Sequence, residues 1–107
     1  MKIGVSLYSF HAYAGEDSLG MKGCIAKAKE IGCEGVDFVE TQHESQEAYL
    51  AHAREIGAYC REIGVEAVCC CVRSDFLNGS SGDVGAEIAS VKDTVDIAAA
   101  YGCKLMR

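Results

Sequence analysis

Proline is absent from the 107 residues, and nothing physical accounts for that. The other absences exclude more. No apolar run approaches the roughly 20 residues that a membrane-crossing helix needs. The start, Met1-Lys2, leads straight into an alternating pattern, without the apolar core and small-residue cleavage site of a signal peptide. The expectation is a cytoplasmic protein with no membrane partner. Basic residues are outnumbered, 10 against 16 acidic, for a net charge of −6. A nucleic-acid footprint is basic and clustered, so no nucleic-acid partner is expected. Anionic small molecules stay open, because local groups and backbone amides bind phosphate whatever the net charge. The seven cysteines contain no Cys-x-x-Cys pair, and a disulfide framework suits neither an intracellular chain nor one able to build an apolar core. The glycine- and serine-rich stretch Gly79 to Gly85 lacks the lysine and spacing of a phosphate loop and reads as a flexible connector.

What is present is apolar enough to fold. Half the residues are hydrophobic, which excludes disorder, and the length fits one domain or part of one. The chain is organised around Glu62 to Asn78, where a helix end, a glycine stop, the apolar run Val65 to Val72 and a polar loop follow one another. The same punctuation recurs at Gly32, before the run Gly35 to Val39, and at Gly102, before Leu105-Met106. The three glycines are spaced as successive βα units.

Taken in order, Lys2 to Phe10 reads as a first strand, with Ile3, Val5 and Leu7 on one face. Asp17 or Ser18 is suited to cap a helix whose apolar stripe is Met21, Cys24, Ala28 and Ile31. The second strand, Gly35 to Val39, ends in Glu40, Thr41, Gln42 and His43. Thr41 with Glu44 has capping-box spacing, and Ser45 is a rival cap. Tyr49, Ala53, Ile56, Cys60 and Ile63 form the clearest helical stripe; His52 lies off it and reads as surface. Asp83 is suited to cap a third helix with the stripe Ile88, Val91, Val95 and Ala98, and Lys104 to Arg107 begins a fourth strand.

Strands alternating with helices imply an α/β fold, a parallel sheet with right-handed crossovers in the order β-α-β-α-β-α-β. Two architectures fit: the first half of a (β/α)8 TIM barrel, or an open flavodoxin-like doubly wound sheet. A full barrel needs about 250 residues, so residues 1–107 are expected to be a single partial domain, and the stop in mid-strand suggests a cut chain.

Four segments then carry a likeness: Ile3-Gly4-Val5-Ser6-Leu7-Tyr8-Ser9-Phe10, Ile31 to Glu40, Ser74-Asp75-Phe76, and Val91 to Ala98 leading through Gly102 to Met106-Arg107. As an ordered set they resemble the sugar phosphate isomerase/epimerase group of xylose isomerase-like TIM barrels, in register with the N-terminal half. The resemblance implies a metal-dependent isomerase or epimerase of sugars or sugar phosphates, working through an enediolate, with a divalent metal (Mn2+, Mg2+, Co2+ or Zn2+). It also implies that the metal ligands and the acid/base pair lie on later strands. No metal ligand and no catalytic residue is therefore assigned here, and the chain alone is expected to be inactive. Its partner would be a small sugar or sugar phosphate.

Barrel chemistry sits at the C-terminal ends of strands, which makes Glu40, Tyr8, Phe10, Asp75, Arg107, His11 and His43 the candidate substrate-binding residues. All but Arg107 have an ordinary alternative. Glu40 is a hydroxyl acceptor or a helix-start charge. Tyr8 and Phe10 are a platform for a sugar ring or plain packing. Asp75 is a substrate contact or a turn residue. Arg107 is an anion contact. His11 and His43 are ligands or proton shuttles, or solvated loop histidines. Glu40 and His43, three apart, make no metal set by themselves. Cys69, Cys70 and Cys71 alternate between faces and cannot grip one ion together; buried thiols behave as small apolar groups.

Three other readings stand beside the isomerase: a non-catalytic half-barrel that self-associates or binds a small ligand, an apurinic-endonuclease-like protein, and the open sheet binding a phosphorylated ligand. Unpaired sheet edges invite pairing, and a homo-oligomer is expected.

Overall fold

The computed structural model describes residues 1–107. Four strands, β1 (Gly4–Ser6), β2 (Gly35–Val39), β3 (Glu66–Cys71) and β4 (Leu105–Met106), alternate with three α-helices, α1 (Gly20–Glu30), α2 (Gln46–Ile63) and α3 (Val84–Tyr101). Two 3-10 turns, Leu7–Tyr13 and Gly79–Gly82, fill the loops after β1 and β3. All strand pairs are parallel, and the spatial order is β1-β2-β3-β4.

That order decides between the two expected architectures. A doubly wound sheet reverses its strand order at a switch point and carries helices on both faces. Here each strand is added on the same side of the last, so right-handed crossovers place every helix on one face. Val36, Phe38 and Cys70 turn toward the helices and are fully buried, and they join α1, α2 and α3 residues in one core. Phe38 stacks on Tyr101 of α3 at 4.0 Å between ring centroids. The opposite face carries Asp37, Val39, Cys69 and Cys71, all half-buried. This is an arc of a (β/α)8 barrel, and the flavodoxin-like alternative is set aside.

Local sequence explains most of the elements. Ser45 caps α2 by accepting from the Ala48 amide at 3.1 Å, so the rival Thr41–Glu44 box does not form. Gly64 and Gly102 end α2 and α3 in the left-handed region, where a side chain would be costly. Asp83 caps α3, accepting from the Ala86 amide at 3.0 Å.

Several expectations are corrected. The first strand ends at Ser6, because the Ser6 hydroxyl accepts from the Tyr8 amide and turns the chain into a 3-10 turn. Tyr8, Phe10 and His11 therefore lie on that turn. Neither Asp17 nor Ser18 caps α1, which starts after Leu19 without a side-chain cap. Its buried stripe is Cys24, Ile25 and Ala28, while Ile31 is exposed. On α3 the buried side is Glu87, Ile97, Ala98 and Tyr101; Ile88 and Val95 are 43% and 50% exposed. The helix is rotated toward α2 because Gly57 lets the backbones meet: a Cβ there would lie 2.5 Å from the Tyr101 carbonyl oxygen.

β3 contains one irregularity. Val36 pairs with Ala67 and Asp37 with Cys69, so Val68 is the extra residue of a bulge. The bulge sets Cys69 and Cys71 on the same face as Asp37.

Candidate functional site at the C-terminal rim

The C-terminal ends of the four strands share one rim. At its centre is the β2–α2 loop. Glu40 follows β2 directly, and its amide donates to the Cys71 carbonyl at 3.2 Å, extending the sheet by one residue. The Thr41 amide donates to the Tyr49 hydroxyl at 3.2 Å, and the Thr41 hydroxyl lies 2.9 Å from His43 Nε2. His43 stacks on Tyr49, with ring centroids 4.3 Å apart.

Glu40 lines two cavities. One, of about 270 Å³, lies between the Leu7–Tyr13 turn, α1 and β2, and is walled by Leu7, Tyr8, His11, Met21 and Val39. The other, of about 440 Å³, lies between the β2–α2 loop and α3 and is mostly polar, with His43, Gln46 and Asp93 among its walls. His11 donates locally: its Nδ1 lies 3.0 Å from the Tyr8 carbonyl, so that nitrogen carries the proton and Nε2 is left for another partner. The Tyr8 and His11 rings stack at 5.4 Å. The structure thus brings Tyr8, His11, Glu40 and His43 together around the end of β2.

It does not bring the other three candidates there. Phe10 packs against the core as a half-buried residue. Asp75 uses its carboxylate on its own turn, accepting from the amides of Leu77 and Asn78, both at 3.0 Å. Those bonds, Asn78 first, hold the carboxyl below the usual carboxylate range. Arg107 stands on the inner sheet face beside Cys71, with Nη2 3.3 Å from the sulfur. It shares a cavity of about 420 Å³ with Ser6, Asp37 and Cys69.

Three contributors escape the sequence reading. Asp37 is a charge within an apolar strand, at inward parity, and accepts from the Cys71 thiol at 3.4 Å; its position in the strand was the available signal. Glu87 is buried in α3 and holds the β3–α3 loop, accepting from the Asp75 amide at 2.9 Å and the Ser80 hydroxyl at 2.8 Å. The presumed flexible connector is therefore a pinned 3-10 turn, with Ser80 and Ser81 at φ of 51° and 57°. His52 is half-buried against His43, at 4.9 Å between centroids, which corrects its reading as a surface residue. Neither Glu87 nor His52 left a mark in the sequence, because both contacts cross between elements.

All seven cysteines are free thiols. Burial, then the neighbouring Cys71 and Cys69, pushes the Cys70 thiol up to about 11, so it packs and does not react. No three His, Cys, Asp or Glu side chains converge as a metal set; the residues present do not fit a divalent ion. A further cavity of about 480 Å³ lies at the opposite rim, where α2 and α3 end and β3 and β4 begin. Barrel chemistry belongs at the C-terminal rim, and this cavity lies at the other end of the strands. No helix is long and apolar enough to cross a membrane.

A one-sided parallel sheet with its polar groups gathered where the strands end belongs to the TIM-barrel class. The xylose isomerase-like TIM barrel family matches residues 25–107, and the chain belongs to that family. No curated protein matches the chain.

Proposed function

We propose that this chain forms the N-terminal wall of the substrate pocket of a metal-dependent sugar or sugar phosphate isomerase/epimerase, in which a proton moves between adjacent carbons. The observation that carries the reading is Glu40, placed at the end of a central strand between two cavities in a chain of this family. Its carboxylate accepts from sugar hydroxyls. The stacked Tyr8 and His11 offer a ring face beside it, and His11 Nε2 is available to a hydroxyl. Arg107, on the inner face, suits a phosphate or carboxylate. The metal of such an enzyme and its acid/base pair would come from groups outside these 107 residues, so the chain binds and orients while the proton transfer is completed elsewhere.

The test uses the ¹⁵N-labelled chain titrated with a panel of aldoses, ketoses and their phosphates. Amide shifts confined to Tyr8, His11 and residues 40–43, joined by Arg107 for the phosphates, and abolished in Glu40→Gln, support the reading. Shifts at the opposite rim, around Arg61 and Gly102, or none with any sugar, oppose it. In parallel, a complete barrel carrying this segment should epimerise or isomerise a member of the panel with Mn²⁺ or Mg²⁺.

The unpaired outer edges of β1 and β4 favour a second reading, a half-barrel that self-associates through those edges. Sedimentation equilibrium giving one chain mass at all concentrations would sink it.

A further inference from the structure

The β2–α2 loop is fastened to α2 by a pair of imidazoles that the proposed function does not use. His43 comes from the loop and His52 from α2; their rings lie 4.9 Å apart, tilted by 42°. His43 also stacks on Tyr49 of α2 at 4.3 Å, and both histidines line a cavity of about 570 Å³. We propose that His43 and His52 form an acid-sensitive clasp, which holds the β2–α2 loop against α2 while His52 is neutral and releases it when His52 becomes charged.

The groups around His52 favour its neutral state. On α2, Glu55 is the one carboxylate beside His52, and it is already engaged by Lys22 of α1 at 2.6 Å. From the loop, His43 faces His52, and from α2 itself Tyr49 brings only a phenol. From the segment before α1, Glu16 lines the open side of the cavity. Burial first, then His43, holds His52 below the ordinary imidazole range; Glu55 opposes the shift and Lys22 adds to it. A proton on His52 charges a half-buried ring, and that cost falls when the loop opens and exposes the ring to water; the opening separates the loop from the helix without breaking either. The remaining fastenings of the loop are the His43 stack on Tyr49, the Ser45 cap of α2, and the bonds from Thr41 to Tyr49 and from Glu40 to Cys71. Release would therefore swing the loop while β2 itself stays paired. The inference concerns the loop alone and holds whatever ligand the rim takes.

Histidine ring resonances and backbone amides of the ¹⁵N-labelled chain, followed from about pH 7.5 to 5, decide the matter. The expected result is a His52 midpoint below about 6.5, with the amides of residues 40–45 shifting at the same midpoint and those of α3 unmoved. In His52→Gln the loop transition at that midpoint should be lost, and in His43→Gln the His52 midpoint should rise. Loop amides that stay flat through the His52 transition, or that shift unchanged in His52→Gln, overturn the clasp. The wild-type titration alone suffices if a variant fails to fold.

Discussion

Single groups at the contact between α2 and α3 set the quality of the core. Tyr101 is fully buried, and its hydroxyl lies near Thr41 and Tyr49 without a hydrogen bond of good geometry. Burial, with the Tyr49 phenol adding to it, raises its pKa and keeps it protonated. An unsatisfied buried hydroxyl costs roughly 1–3 kcal/mol, whereas the ring stacked on Phe38 contributes through contact area. Tyr101→Phe should therefore stabilise the chain by about 1 kcal/mol, read as a higher urea midpoint at unchanged slope. Gly57 is the opposite case. The Cβ of Gly57→Ala would meet the Tyr101 carbonyl carbon at 2.9 Å and its oxygen at 2.5 Å, and backbone cannot rotate away. That substitution should cost about 1–3 kcal/mol, although alanine is the better helix former. A neutral or stabilising result would show that α2 and α3 can slide apart freely.

Among the elements, the β3–α3 loop illustrates how a buried carboxylate can define a turn. Ser80 and Ser81 adopt left-handed conformations that are unfavourable for residues with a Cβ. Glu87 compensates by receiving the Ser80 hydroxyl and the Asp75 amide. Leu77 is 86% exposed at the tip while the polar groups of the loop turn inward. Glu87→Ala removes both acceptors and leaves the Asp75 amide without a partner, so a loss of about 1–3 kcal/mol is expected. Hydrogen exchange should report it as faster exchange at residues 75–83 with β2 protection unchanged; if all amides lost protection equally, the loop would be part of the global fold and not a local unit. The predicted stripes of α1 and α3 were displaced for a related reason. Periodicity marks which residues share a face, but Ile25 and Ile97 are buried and Ile88 exposed because neighbouring helices choose the rotation.

For the whole molecule, acid should act through His52. Its folded pKa lies below the ordinary value, so the unfolded chain binds the proton more readily. Stability from this group is present above about pH 6.5 and is lost as pH falls through that value toward the folded one. The thermal midpoint should drop between pH 7.5 and 5.5, and the drop should shrink in His52→Gln. The carboxyl of Asp75, held low by its turn, loses its contribution only at more acid pH, which separates the two effects. An equal drop in His52→Gln would move the cause to other groups.

The sequence by itself determined the alternation of strands and helices, the glycine stops at Gly64 and Gly102, the Asp83 cap and the stripe of α2, because each depends on residues a few positions apart. Its family likeness pointed to a barrel and its rim as one of two architectures. Glu40 was legible as a rim residue because a carboxylate directly after an apolar strand has few places to go. The tertiary structure alone decided the strand order, and with it the choice of a barrel arc over a doubly wound sheet. It alone brought His43 to His52, Glu87 to the β3–α3 loop and Asp37 to Cys71. Those contacts join groups on different elements, and their geometry depends on packing angles, a bulge at Val68 and a missing side chain at Gly57, none of which a pattern of neighbouring residues specifies.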